Sequence, residues 1–125
     1  MIAEVSAGSG WLALALIPIV AVAGWVFRRL RKGPFRWRMR PHYVLGYAAL
    51  GFALLHFSLS MGASSGANAT GLWLAVLALL GLGWQALIGS NLQSPGDYRP
   101  LLRRWHLVTF AAVAVFAVGH VLLDR

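Results

Sequence analysis

Four apolar runs, each long enough to cross a bilayer, fix the class of fold open to this chain. They cover approximately 10–27, 42–61, 71–89 and 105–123, and a helix needs roughly 17–25 residues to cross a hydrocarbon core of about 30 Å. Inside lipid every backbone N–H and C=O has to find a partner within the protein, which leaves helices or closed β-barrels. Barrel strands alternate apolar and polar residues, whereas these runs are continuous. The expectation is an all-α, membrane-spanning four-helix bundle forming a single transmembrane domain over 1–125. Composition agrees: 59% of residues are hydrophobic and 11% charged, about half the charged share of a soluble domain.

The net charge of +8 would point to nucleic acid if it decorated a soluble fold. Here the basic residues sit between the apolar runs, so they read as topology signals, and no nucleic-acid partner is expected. Arg28, Arg29, Arg31, Lys32, Arg36, Arg38 and Arg40 lie between the first two runs, and Arg99, Arg103 and Arg104 between the last two. Arg125 alone falls on the other side. The positive-inside rule then places both basic connectors in the cytoplasm and both termini outside. The setting expected is the lipid bilayer of a bacterial cytoplasmic membrane. Most of Trp25, Trp37, Trp73, Trp84 and Trp105 stand near span ends, as interfacial anchors do. Pro34, Pro41, Pro95 and Pro100 fall in connectors or at helix starts, and Pro18 alone lies inside a span.

The "AVA" at 21–23 is not read as a signal-peptidase site, because no basic region precedes the first apolar run. The "NAT" sequon at Asn68 has meaning only in a eukaryotic secretory setting. No cysteine occurs, which excludes disulfides, iron–sulfur clusters and a covalently attached c-type haem.

Histidine is costly within a membrane helix unless it has a partner or a role. The chain has four, in two equal spacings: His42 and His56 on the second span, His106 and His120 on the fourth. Fourteen residues carry a helix through a rise of about 21 Å and leave the two side chains roughly 40° apart, on one stripe. The second and fourth spans both run from cytoplasm to outside. His42 and His106 therefore share the inner depth, and His56 and His120 the outer. Two protein donors per level are too few for a structural zinc, which takes four, or a catalytic one, which usually takes three. Haem needs only one or two axial ligands from the protein, and bundle cores house it. The pattern fits two haem b groups, held by His42 with His106 and by His56 with His120 through the iron. A structural hydrogen bond or a proton relay is the alternative for each histidine.

Small residues on the stripe, Gly46 among them, would let a flat macrocycle approach the second helix, and Phe52 and Phe116 lie between the two depths. Arg40, Arg103 and Arg104 stand beside the inner histidines as candidate partners for haem propionates; on the outer side Arg125 alone could serve.

Two H-x13-H helices, second and fourth of four, resemble the haem-binding core of cytochrome b from quinol-oxidising complexes. The pattern is also similar to the transmembrane domain of ferric reductases and NADPH oxidases. The cytochrome b resemblance implies glycines 14 apart on the first and third helices, packed against the haem faces. Gly10 and Gly24 match that spacing, while Gly71, Gly81, Gly83 and Gly89 on the third span offer no such pair. The P-E-W-Y motif of cytochrome b is missing, and no flavin or nicotinamide domain accompanies the spans. What the resemblance implies is an electron conduit across the membrane. A chain this small is expected to work as a subunit or beside a redox partner protein or quinone; Trp105, Tyr43 and Gln85 are candidate neighbours for a quinone, though no motif singles them out. The alternatives are a self-standing reductase or oxidase of a small acceptor or quinol, and a haem-free four-span scaffold.

Overall fold

The computed structural model describes residues 1–61, 68–94 and 96–123, and those residues are almost entirely helical. Four helices follow in order: α1 (Ile2–Leu30), α2 (Phe35–Met61), α3 (Ala69–Asn91) and α4 (Arg99–Leu123). Each is long and apolar enough to cross a membrane. The sites at Pro95, Arg125 and most of the small-residue loop lie outside the described residues.

Each helix outruns its apolar stretch, because hydropathy marks what lipid covers rather than where the hydrogen-bond ladder ends. The basic segment between the first two spans, expected as a connector, is the clearest case. Most of it is helix, and only Arg31–Pro34 link α1 to α2. Arg31 is extended, with φ −90° and ψ 130°, and Gly33 has φ +107°, a conformation that L side chains rarely adopt. The Pro34 carbonyl then accepts from the N–H groups of Trp37 and Arg38 to start α2. Pro41 accordingly lies inside α2, not at a helix start as expected. A proline there withholds one N–H from the carbonyl one turn earlier. Pro18 is inside α1, as its place in the span required, and Pro100 falls in the first turn of α4.

Asn68 caps α3: its side-chain oxygen accepts from the Thr70 N–H at 3.0 Å. The "NAT" triplet thus has a structural reason for its first residue. At the far end, the Leu92 N–H reaches back to the Ile88 carbonyl.

The chain divides into two compact units, Met1–His56 and Phe57–Arg125. In the first, α1 and α2 run antiparallel: Gly10 faces His56 and Gly24 faces His42. Ser6, Ser9, Ala13, Ile17, Ala23 and Gly24 are the buried residues of α1, and most recur at three- and four-residue steps along one stripe. In the second unit α3 and α4 are likewise antiparallel, with Gly81 against Val113 and Leu74 against Gly119. Val113 is the fully buried large side chain here.

Large apolar side chains are exposed along every helix, among them Leu12, Val22, Leu54, Leu80, Leu107 and Val115. In water such a surface would be untenable; in hydrocarbon it costs nothing. The protein is an integral membrane protein whose helices contact the bilayer. Trp11, Trp25, Trp37, Trp73, Trp84 and Trp105 are all exposed.

Candidate functional site

A neutral imidazole donates through one ring nitrogen and presents a lone pair on the other. In the first unit, Nδ1–H of His42 donates to the carbonyl of Val20 at 3.0 Å. Nδ1–H of His56 donates to the carbonyl of Ser6 at 2.8 Å. In the second unit, Nδ1–H of His120 donates to the carbonyl of Gly71 at 3.0 Å. A carbonyl can only accept, so in the neutral ring the proton sits on Nδ1 and the lone pair on Nε2. This is the arrangement by which a metal-binding histidine is oriented from behind.

The same helices that supply the carbonyls make room for the rings. A Cβ placed on Gly10 would lie 2.8 Å from Nδ1 of His56, and one on Gly24 would lie 2.9 Å from Nδ1 of His42. No real side chain fits at those distances. Each glycine stands four residues after the accepting carbonyl, Gly10 after Ser6 and Gly24 after Val20. In an α-helix the carbonyl of residue i points along the axis toward residue i+4. A ring lying over the glycine therefore meets the second lone pair of that carbonyl, the first being engaged in the helix. Glycine for clearance and carbonyl for orientation are one device, used twice on α1. Gly10 and Gly24 thus face imidazoles within their own hairpin. Gly46 on α2 differs, since an added Cβ there would meet nothing within 4 Å.

Beneath His56 the device is embellished. The Ser6 carbonyl also accepts from Ser9 Oγ at 2.8 Å, and Ser6 Oγ itself lies 3.5 Å from Nδ1 of His56. Ser6 and Ser9 are the buried polar residues. Sequence reasoning passed over both because they precede the first apolar run. Val20 and Gly71 were passed over for a deeper reason: their contribution is a backbone carbonyl, which any residue carries.

The second unit repeats the plan. The acceptor positions on α1, Ser6 and Val20, recur 65 positions later as Gly71 and Gln85. The clearance positions Gly10 and Gly24 recur, by the same shift, as Ala75 and Gly89. His42 and His56 recur 64 positions later as His106 and His120. The two hairpins are thus register-matched repeats, with His106 the counterpart of His42 and His120 that of His56. Gly89 lies against His106, where an added Cβ would stand 3.7 Å from Cε1, ordinary contact. Of the four positions on α1 only Gly24 recurs as the same residue, Gly89, and the largest change in chemistry is at one place. Where the first unit has Val20, the second has Gln85, whose Nε2 donates to the His106 carbonyl at 2.7 Å. Its Oε1 is buried with no hydrogen-bond partner among the described residues.

Arg40 is exposed and lies 5.7 Å from the Trp37 ring in a cation–π arrangement. Arg103 and Arg104 are exposed in the first turns of α4, ahead of His106. Arg40 stands two residues before His42, and Arg103 and Arg104 three and two before His106. Among the described residues no three His, Cys, Asp or Glu side chains gather as a metal cluster would require. The donor set is therefore one of separate imidazoles, three of which, His42, His56 and His120, are anchored through Nδ1 to a backbone carbonyl. That chemistry fits a cofactor that brings most of its own ligands. No protein-family model, no curated protein and no solved structure matches the chain.

Proposed function

We propose that the chain is a dihaem b-type membrane cytochrome that carries electrons between the two faces of the membrane. The observation that carries this reading is the repeated histidine setting. At His42, His56 and His120 a backbone carbonyl takes the Nδ1 proton, so that each ring offers Nε2 as the donor. In this reading His42 and His106 would hold one haem and His56 and His120 the other. The repeat supports the pairing: His42 and His106 each stand seven residues after the first residue of their helix, and His56 and His120 each stand 14 further on.

Bound haem would supply a one-electron iron couple, and two imidazoles per iron favour electron transfer over binding of a small ligand. The chain's own residues then do the rest. Ser6, Val20 and Gly71 hold the ring orientations, and Gly10 and Gly24 hold the ring positions. Gly46 leaves open space on the α2 stripe for a flat group. Arg40, Arg103 and Arg104 offer charge for the propionates on the inner side. By the positive-inside rule both basic ends lie in the cytoplasm of a bacterial cell and both termini outside. The partner is a redox protein or a quinone.

The test is an absorption spectrum of the purified chain, oxidised and dithionite-reduced, with haem quantified per polypeptide. Two low-spin haems are expected. His42→Ala and His106→Ala should each remove the same haem, and His56→Ala and His120→Ala the other. A folded but colourless protein would overturn the reading in favour of a haem-free scaffold, and loss in crosswise pairs would overturn the axial assignment. Carbon monoxide binding to the reduced protein would point instead to a terminal reductase or oxidase.

A further inference from the structure

We propose that the α1–α2 turn is a binding site for the headgroup of an anionic phospholipid. The site is an open cup of about 640 Å³ in the first unit. Four cations line it: Arg31 and Lys32 from the turn, Arg38 and Arg40 from the start of α2. Trp37 forms part of the wall, and the lining continues onto Val44 and Leu45.

The order of these residues along α2 matters. Arg38 and Leu45 are seven residues apart, two helical turns, so they share a stripe about 10 Å long. Along it the lining passes from guanidinium to aliphatic side chain. A phosphodiester with an acyl chain attached has that same sequence of chemistry, charge first and hydrocarbon after. A free anion uses only the first half.

No carboxylate among the described residues pairs with Arg31, Lys32, Arg38 or Arg40; the ion pair shown joins the Met1 amino group to Glu4. Their aromatic neighbours place them instead. Arg31 lies 5.4 Å from the Phe27 ring, Arg38 5.9 Å from Phe35 and Arg40 5.7 Å from Trp37. Arg38 is further fixed by a bond from Nη1 to the Arg28 carbonyl at 3.3 Å, and its Nε is buried with no hydrogen-bond partner among the described residues. Guanidinium groups positioned in this way are suited to phosphate oxygens, which accept in the plane of the fork. Four like charges gathered at one turn without a carboxylate repel one another, and an anion arriving from the membrane relieves that repulsion.

General attraction between basic loops and an anionic leaflet is worth about the same for every Lys or Arg near the surface. The cup makes a different claim, that position matters. Arg29 and Arg36 carry the same charge in the same segment but do not line it.

The experiment is native mass spectrometry of the full chain released from detergent, titrated with phosphatidylglycerol, with phosphatidylethanolamine and with inorganic phosphate. The wild type should retain phosphatidylglycerol several-fold better than phosphatidylethanolamine, and millimolar phosphate should not displace it. Arg31→Gln with Arg38→Gln should weaken retention roughly tenfold or more, the scale expected for two surface cations, while Arg29→Gln with Arg36→Gln should leave it within about twofold. Equal loss in both double variants would overturn the proposal, since charge alone would then explain binding. So would equal retention of the two lipids by the wild type, a result that needs no variant to fold. Displacement by inorganic phosphate would also overturn it, showing an anion site that does not read the lipid.

Discussion

The carbonyl oxygen of Ser6 lies 2.8 Å from Nδ1 of His56, one helical turn before the glycine that gives the imidazole its room. Val20 and His42 stand in the same relation at 3.0 Å, with Gly24 as the clearing residue. The two contacts lie 14 positions apart on α1 and 14 apart on α2, so the histidine spacing and the glycine spacing are the same fact seen from two helices.

A methyl group at Gly10 therefore has one way to be accommodated, which is for the His56 ring to swing off the Ser6 carbonyl. Gly10→Ala is expected to destabilise the protein by about 1–3 kcal/mol, the usual range for overpacking. In the dihaem reading it also lowers haem content from two per chain to one. Gly24→Ala should act in the same way through His42 and remove the other haem. Gly51→Ala is the control, since an added Cβ there meets nothing within 4 Å. Ser6→Ala should be mild, because the acceptor is main chain and the hydroxyl is the more distant partner at 3.5 Å. Thermal unfolding in detergent and haem-to-protein ratio check both parts.

The second unit offers a purely packing version of the same argument. A Cβ on Gly81 would stand 2.5 Å from Cγ2 of Val113, and Val113 is only 2% exposed. A buried β-branched side chain has a stiff χ1 and cannot turn aside. Gly81→Ala should cost about 1–3 kcal/mol, and Val113→Ala on top of it should return part of that loss. A double-mutant cycle by unfolding in detergent reads the coupling; additive effects would show that the two positions do not meet.

Much of this was legible beforehand. The four spans follow from hydropathy, and the histidine ladder and the Gly10–Gly24 pair are plain in the residues. The partner of each glycine was not, because spacing shows which positions share a face but not which object lies opposite. Searching the third span for a glycine pair found none. The positions that match Gly10 and Gly24 by register are Ala75 and Gly89, and the acceptor for His120 is the Gly71 backbone carbonyl, which carries no residue signature. Pro41 was placed at a helix boundary because composition changes there, yet α2 begins at Phe35. Charged residues at a membrane surface remain helical as readily as apolar ones, so a change of composition is not a change of backbone. The register of the two hairpins was hidden because three of the four matched positions on α1 and α3 carry different residues, and because the shift is 65 residues there but 64 between the histidine helices.

Asn68 provides a test of a different link, from local sequence to helix end. Its side chain accepts from the Thr70 N–H at 3.0 Å, which satisfies one of the N–H groups that the first turn of α3 leaves open. Asn68→Ala should destabilise the protein by about 1 kcal/mol, whereas Asn68→Asp or Asn68→Ser should retain most of the stability, as capping residues do. If all three variants unfold alike, the cap is not what Asn68 contributes.

Gln85 is the polar residue that stands where the first hairpin has Val20, and the balance of its two ends sets the expectation. The Nε2 bond to the His106 carbonyl at 2.7 Å is worth roughly 0.5–1.5 kcal/mol net, while a buried acceptor left without a partner costs about 1–3 kcal/mol; Oε1 is such an acceptor among the described residues. Removing both ends at once should therefore be neutral or slightly stabilising. Gln85→Leu keeps the volume close and Gln85→Val installs the residue of the first hairpin; neither should lower stability by more than about 1 kcal/mol. The amide dipole beside His106 should nevertheless matter to a charge-carrying group held there. In the dihaem reading, redox titration of Gln85→Leu should move the midpoint of the haem shared by His42 and His106 and leave the His56–His120 haem where it was. An unchanged pair of midpoints would confine Gln85 to packing. A marked loss of stability would show that the Oε1 end has the stronger hold, and that the amide serves the fold through both of its atoms.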